Sequence, residues 1–315
     1  MIPVLEKHCN RMKPIVTIGI CVKNCETSVK EAVRSVIDQD FSHEQMEVIV
    51  VDDGSEDKTL SVVLNIASKS DICFRVFHTE WKGLGHVRNF VFKETAGKYI
   101  IWVDGDMVLP ADHIRKQVAF MEKNPKVGIA KARYGINFQE KLVGFLENAS
   151  SLALDQKYGG QTTTKPLGTG GCIYRVEAIK QTTGFDHRLT GVGEDQDVEN
   201  KVSKAGWLLY SGSPAVFFEK RRKTWKLLWQ EYFWHGYGNH SLYMRNRQLI
   251  PLHKLVPPAG LIAGVWYSRY AYKATFRKKV FLLPIQYFFK RTAWFFGFIR
   301  GQIGELRNED FNKGK

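Results

Sequence analysis

The sequence predicts an α/β fold: a parallel sheet with helices on both faces, followed by a helical C-terminal extension. Three observations carry this. Short apolar runs of β type alternate with helix-length amphipathic segments as far as Tyr134. The runs are continuously apolar instead of alternating, as strands buried on both faces are. Composition then shifts: residues 220–315 hold 19 Lys/Arg against 4 Asp/Glu and 21 of the 40 aromatic residues, whereas the rest has 27 against 28.

The elements follow in order. VTIGICV is a first strand, and Val29, Val33, Val36 and Ile37 then recur at helical spacing. EVIVVDDGS is a second strand ending in acids and a turn glycine. SEDKTLSVVLNIA is a helix with Ser55 as N-cap and Glu56 and Asp57 in its first turn. DICFRVFH is a third strand, and GLGHVRNFVFKETAG holds a helix from about His86 to Gly97. KYIIWVDGD is the fourth strand. ADHIRKQVAFMEKNP is a helix ended before Pro125, and VGIAKARY is the fifth strand. Beyond Tyr134 the pattern loosens. A glycine-rich GTGGCIYR precedes a loop and helix with Val198 and Val202 on one face. WLLYSGSPAVFF makes one or two strands, and WKLLWQEYFWHGYG is a helix that stops at its glycines.

The boundaries expected are an N-terminal extension at 1–13, a catalytic domain at 14–245 and a basic, aromatic extension at 246–315. At 44% hydrophobic and 25% charged, the 315 residues suffice for a large core in one or two domains. MIPVLEKHCNRMKP has no apolar h-region, so no secretory signal is read. The five cysteines are odd in number and form no CxxC pair, which argues for reduced, mostly buried thiols in a cytosolic setting.

The basic tail suits an anionic membrane surface; nucleic acid is set aside because no recognition motif accompanies the charge. Residues 255–268 are uncharged but too short to span a bilayer. Residues 280–299 are long enough but carry Lys290 and Arg291 at their centre, each costing about 2.5–3.5 kcal/mol at a helix midpoint. Phe281, Ile285, Phe288, Phe289, Thr292, Phe296 and Ile299 share one helical face, with Arg277 to Lys279 beside it. That pattern fits an interfacial or re-entrant anchor on the cytoplasmic face of a membrane. The alternative is a helical subdomain packed on the catalytic body.

Acids stand at the ends of the second and fourth strands, where ligands bind in open parallel sheets. Asp52 and Asp53 with Gly54 could form a polar turn, and Asp104-Gly105-Asp106 a solvated loop. Two carboxylates at i and i+2 that turn at a glycine also suit a hard divalent cation whose shell phosphates complete. In GEDQD, the helix dipole accounts for two of the three acids, and a carboxylate near a hydroxyl could act as general base. Arg88 and Asn89 are expected at the surface.

Taken in order, these segments resemble glycosyltransferase family 2, the inverting sugar transferases of GT-A fold. PIVTIGICVKN, VIVVDDGSEDKT, GLGHVRN, KYIIWVDGDMVLP, GTGGCIYRVEAI, GFDHRLTGVGEDQDVENKVSKAGW and RRKTW carry the resemblance, over roughly residues 14–240. It implies a Rossmann-like nucleotide-binding sheet. Cys21, Lys23, Asn24, Asp53, Arg88 and Asp104 would contact the nucleotide sugar. Asp106, with Asp104, would hold Mg2+ or Mn2+ on its diphosphate. Gly170 and Gly171 would line the acceptor side, Asp195 would be the catalytic base, and Glu194 would orient the acceptor. The donor implied is a UDP- or GDP-sugar and the acceptor a glycan or polyprenyl-linked hydroxyl.

Two departures stand out. Many family members carry a metal-binding histidine before the basic segment, but VFFEKRR has none; either Glu219 substitutes or the metal relies on Asp106 and phosphates. The QxxRW motif of processive synthases is absent, so single-sugar transfer is expected. Two other readings compete. One is a phosphatase in which VDGDMV supplies nucleophile and acid, which leaves VVDDGSEDKT unexplained. The other is a silent membrane-bound scaffold of the same fold, against which the intact Asp53, Asp104, Asp106 and Asp195 set argues.

Overall fold

A computed structural model describes residues 1–7, 13–136, 141–189, 192–250 and 256–306. The chain divides into two compact units that do not follow chain order. The first comprises Met1–Arg133, Tyr158–His187 and Val198–Glu219; the second comprises Tyr134–Lys157, Arg188–Asp197 and Lys220–Lys315.

The first unit is built on a sheet. Its strands are β1 (Ile2–Glu6), β2 (Val16–Val22), β3 (Met46–Asp53), β4 (Cys73–Thr79), β5 (Tyr99–Asp104), β6 (Met107–Val108), β7 (Val127–Tyr134), β8 (Gln161–Thr163), β9 (Cys172–Arg175) and β10 (Leu208–Glu219). Their order is β1-β4-β3-β2-β5-β9-β7-β10-β6, with β8 on β10. β4, β3, β2 and β5 run parallel. β2 and β3 are buried at every position, as their unbroken apolar runs require.

The expected parallel sheet is therefore only its central part. The fifth apolar run, β7, does not pair with β5. β9, arriving from the glycine-rich GTGG segment, lies between them antiparallel to both. Residues 2–6, set apart in the sequence as an extension, form an edge strand antiparallel to β4.

Helices α1 (Val29–Ile37), α2 (Thr59–Ala67), α3 (Leu84–Glu94) and α4 (His113–Lys123) alternate with the strands, and α6 (Val176–Lys180) follows β9. α2 starts later than expected. Ser55 does not cap it: the Ser55 hydroxyl accepts the Asn24 N–H at 2.9 Å, and Asp57 Oδ1 accepts the Thr59 N–H at 2.9 Å. A tertiary partner has taken the local cap. The single long β10 replaces the one or two short strands expected. Cys21, Cys25 and Cys172 are thiols, but Cys73 is disulfide-bonded, which corrects the expectation of reduced thiols for that residue. Cys9 lies outside the described residues.

The second unit is helical: α5 (Leu142–Tyr158), α8 (Trp225–Arg245), α9 (Ala259–Thr275) and α10 (Leu283–Leu306), joined by the first turn of α7 (Glu194–Lys204). The periodicity past Tyr134 did not reveal α5. α8 does not stop at its glycines. It passes through Gly236 because α10 crosses there: a Cβ on Gly236 would stand 1.9 Å from the Trp294 carbonyl oxygen. Gly297 is placed reciprocally, 1.9 Å from the Phe233 carbonyl oxygen. Glycine here permits a close crossing that propensity alone would read as a helix end.

Lys290 is buried in this unit. Its Nζ lies 2.7 Å from Glu147 Oε1 and within 4.8 Å of the Tyr232 and Tyr287 ring centres. The Tyr232 hydroxyl donates to Glu147 Oε2 at 3.2 Å. Burial alone would lower the Lys290 pKa, but Glu147 and Tyr232 outweigh it and the ammonium is held above its usual range. Among the described residues no helix is long and apolar enough to cross a membrane.

Candidate active site

The carboxyl ends of the central strands are level. Cys21 is registered with Asp104 on one side and Val51 on the other, and Val22 with Asp52. Side chains alternate along a strand, so Asp52 and Asp53 leave β3 on opposite faces. The structure shows their separate fates. Asp52 Oδ2 accepts from His78 Nδ1 at 2.7 Å and from the Ser55 N–H at 3.3 Å. Asp53 turns to the loop before α3, where Oδ1 accepts the Lys82 N–H at 2.7 Å and Oδ2 the Gly83 N–H at 2.9 Å. Burial raises the Asp53 pKa against the pull of those two bonds.

β5 ends in Asp104, and Gly105 turns the chain so that Asp104 and Asp106 are both partly exposed while Gly105 is buried. The space around Gly105 is filled: a Cβ there would stand 2.6 Å from Cys25 Sγ and 3.2 Å from Val22 Cγ1. Asp104 Oδ1 is 3.6 Å from an Arg88 guanidinium nitrogen. A Cβ on Gly170 would lie 3.2 Å from Asp104 Oδ2, so Gly170 and Asp104 are neighbours. Gly171, at φ +69°, has Phe217 against its Cα. Glu219 is registered opposite Met107, the residue after Asp106.

Arg88 corrects the sequence reading, which put it at the surface. It is 4% exposed, with its guanidinium 5.8 Å from the Trp102 ring centre, because α3 lays Val87, Arg88 and Val91 on the sheet. Asn89 is equally committed. Its amide donates to the Phe185 carbonyl at 2.6 Å and accepts the Phe185 N–H at 2.9 Å, clamping a segment 96 residues away.

Lys23 and Asn24 leave β2 in a loop laced to the one after β3. Asn24, at φ +48°, takes the Glu56 N–H on Oδ1 at 2.9 Å while its own N–H goes to Ser55. Thr59 Oγ1 accepts the Cys25 N–H at 2.8 Å. The Lys23 ammonium sits 5.1 Å from the Trp81 ring centre. Trp81 was not singled out from the sequence; no spacing marks it, and only the fold brings it to Lys23.

Glu194 and Asp195 belong to the second unit and open α7. Glu194 is buried and Asp195 partly exposed, with Oδ1 accepting the Gln196 N–H at 2.7 Å. On α8, burial lowers the pKa of His235, against opposing pulls from Glu231 and Asp195. The first unit thus gathers Cys21, Asp53, Arg88, Asp104, Asp106, Gly170 and Gly171, and the second holds Glu194 and Asp195.

Asp104 and Asp106 offer two hard oxygen donors on one turn, which fits a Mg2+ or Mn2+ ion that takes other ligands from phosphate and water. Among the described residues no group of three or more His, Cys, Asp or Glu side chains is arranged to hold a metal.

Comparison with known proteins gives a consistent picture. The family model for glycosyl transferase family 2 matches residues 17–182. An uncharacterized glycosyltransferase of Haemophilus influenzae is 31% identical over 111 residues, 35% of this chain and 44% of that protein. The poly(ribitol-phosphate) beta-N-acetylglucosaminyltransferase TarS of Staphylococcus aureus is 29% identical over 114 residues, 36% of this chain and 20% of that protein. The match thus spans less than half the length of these curated relatives. Among solved structures, mannosyltransferase PcManGT from Pyrobaculum calidifontis, in complex with GDP-Man and Mn2+, aligns with a TM-score of 0.63 at 18% identity, covering 96% of this chain and 89% of that one. S. aureus TarS 1-349 in complex with UDP-GlcNAc aligns with a TM-score of 0.53 at 16% identity, covering 95% and 93%. At such identities the likeness shows the fold, which is GT-A.

Proposed function

The chain belongs to glycosyl transferase family 2, and on that premise we propose that it moves a sugar from a UDP- or GDP-sugar to an acceptor hydroxyl with inversion. The observation that carries the proposal is the Asp104-Gly105-Asp106 turn at the carboxyl end of β5, with Arg88 on Asp104 and the ends of β2 and β3 alongside. PcManGT, of the same fold, binds GDP-Man with Mn2+, and TarS binds UDP-GlcNAc. Family membership removes the phosphatase reading.

Asp104 and Asp106 would hold Mg2+ or Mn2+, which when bound neutralises charge developing on the leaving diphosphate. Arg88 adds a fixed, buried positive charge against Asp104. Asp53 shapes the loop entering α3, and Lys23 and Asn24 the facing loop. Gly170 leaves room beside Asp104 for a sugar to approach the backbone. Asp195 takes the proton of the acceptor hydroxyl as it attacks the anomeric carbon, so a single displacement inverts that centre. Glu194 orients the acceptor.

The acceptor we propose is a polyprenyl-linked or glycan hydroxyl presented at the cytoplasmic face of a membrane. Supporting this, α10 leaves Ile285, Phe288, Phe296 and Ile299 exposed on one side, and Phe281 is exposed just before it. α9 likewise exposes Ile262, Val265 and Trp266. The surrounding stretch is strongly basic. Lys290, read in the sequence as an obstacle to insertion, is paired with Glu147 and leaves that apolar side unaffected.

The test is a thermal-shift titration with UDP and GDP in the presence of Mn2+. A rise in Tm that Asp106→Ala abolishes is expected. No shift with any common nucleoside diphosphate overturns the proposal and favours the silent scaffold. For the membrane, flotation with anionic vesicles should carry the protein, and Ile285→Ser/Phe288→Ser should release it. Equal recovery with and without vesicles refutes the surface.

A further inference from the structure

We infer that Trp81 is a specificity-determining residue of the donor site: its indole is the wall on which the nucleobase stacks, held in place by Lys23. This rests on the reading of the first unit as a nucleotide-sugar site and names a residue that neither the motifs nor the comparisons assign.

Three contacts fix Trp81 from two strand ends. The first is the Asp53 carboxylate, whose two oxygens take the N–H groups of Lys82 and Gly83 and so set the path of the chain immediately after Trp81. The second is Gly54, at φ +74°, where a Cβ would stand 2.8 Å from the Trp81 nitrogen; the turn after β3 and the backbone of Trp81 are in close packing. The third is the Lys23 ammonium at 5.1 Å from the indole centre, an attraction between a cation and the most electron-rich aromatic face a protein offers. A loop with one such tether would leave the ring to its own rotamers. Here backbone and side chain are both held, and the ring remains partly exposed.

Its position selects the ligand. Trp81 follows β4, whose Thr79 is registered with Asp53, so the ring stands at the carboxyl edge of the sheet, where α/β sheets bind ligands. Lys23 follows β2, whose Cys21 is registered with Asp104. The pair therefore spans the strand ends from β2, next to β5 and its Asp104-Asp106 turn, across to β4. On that reading a nucleoside diphosphate held by its phosphates at Asp104 and Asp106 would meet, along the strand ends toward β4, the partly exposed Trp81 as the aromatic surface for its base. An indole supplies stacking area to any base, and the larger purine covers more of it.

The experiment measures UDP, GDP and pyrophosphate binding to the full chain with Mn2+ by calorimetry, for wild type, Trp81→Ala and Trp81→Phe. Loss of one base–aromatic stack corresponds to about 5- to 150-fold in Kd. Trp81→Ala should lose affinity in that range for UDP, and more for GDP, while pyrophosphate binding is unchanged and Trp81→Phe recovers most of the loss. Unchanged nucleotide affinity in Trp81→Ala overturns the inference and leaves the proposed function standing. An equal loss for pyrophosphate also overturns it, because the ring would then merely support the loop. Absence of nucleotide binding in the wild type removes the proposed function, and the inference with it.

Discussion

Cys25 is packed against Gly105: the space a Cβ would occupy at position 105 is 2.6 Å from the Cys25 sulfur. The residue that lets β5 turn between its two terminal aspartates is thus confined by a side chain from the loop after β2. The Asp104-Asp106 spacing depends on that neighbour.

Gly105→Ala should therefore push the turn away from Cys25 and weaken metal-dependent nucleotide binding. Cys25→Ala should restore it in the double variant, since the next atoms stand at 3.2 and 3.4 Å. Calorimetry on the four proteins of the cycle reads the coupling. The same burial pushes the Cys25 thiol up to about 12, with Asp57, Asp106 and Asp52 adding to the rise and the Thr59 bond opposing it. Cys25 should thus resist iodoacetamide at pH 8 in the folded protein, measured by mass spectrometry of the modified peptides.

Glu147 and Lys290 form a buried pair in the helical unit. Lys290→Met leaves a buried carboxylate without its cation, and the expected loss is about 3–5 kcal/mol in urea denaturation. Glu147→Gln/Lys290→Met should be markedly more stable than Lys290→Met alone. If the single and double variants unfold at the same urea concentration, the pair does not carry the energy assigned to it.

His113 is fully buried at the start of α4, with Nδ1 donating to the Val216 carbonyl at 2.6 Å. Burial lowers its pKa from 6.5 to about 4, against the opposing effect of that bond. A depressed folded pKa means the neutral ring is favoured in the fold. Its contribution is complete above pH 6.5 and is lost as pH falls through 6.5 toward 4, by roughly 3 kcal/mol. His113→Gln should flatten that part of the stability profile relative to wild type; parallel profiles contradict the assignment.

Gly236 and Gly297 meet backbone across the α8–α10 crossing. Alanine normally improves a helix, but Gly236→Ala puts a methyl group into a carbonyl oxygen that cannot rotate away. The expected result is a loss of at least about 1–3 kcal/mol instead of a gain. Thermal unfolding followed by near-UV circular dichroism checks the sign.

Much of the frame was legible in the residues. The unbroken apolar runs placed β2, β3 and β5, because a strand buried on both faces has no polar position to disguise it. The acids at two of their ends stood out because nothing about a buried strand calls for them. Val198 and Val202 were read on one face of α7, and both are fully buried. Less was legible wherever a residue's partner is remote. Ser55 and Arg88 were assigned by local rules to a cap and to the surface. In the fold, Ser55 serves the Asn24 backbone and Arg88 is buried against the Trp102 ring and Asp104.

The sequence by itself determined the α/β frame, the acidic clusters and the basic, aromatic character of the last hundred residues. These follow from periodicity and composition, which are properties of short windows. Only the tertiary structure decided that β9 separates β5 from β7, that Gly236 and Gly297 admit a helix crossing, that Lys290 is paired with Glu147, and that Trp81 stands over Lys23. Each of these is a contact between segments distant in the chain. Its energy comes from excluding water around both partners at once, and no local pattern in either segment records it.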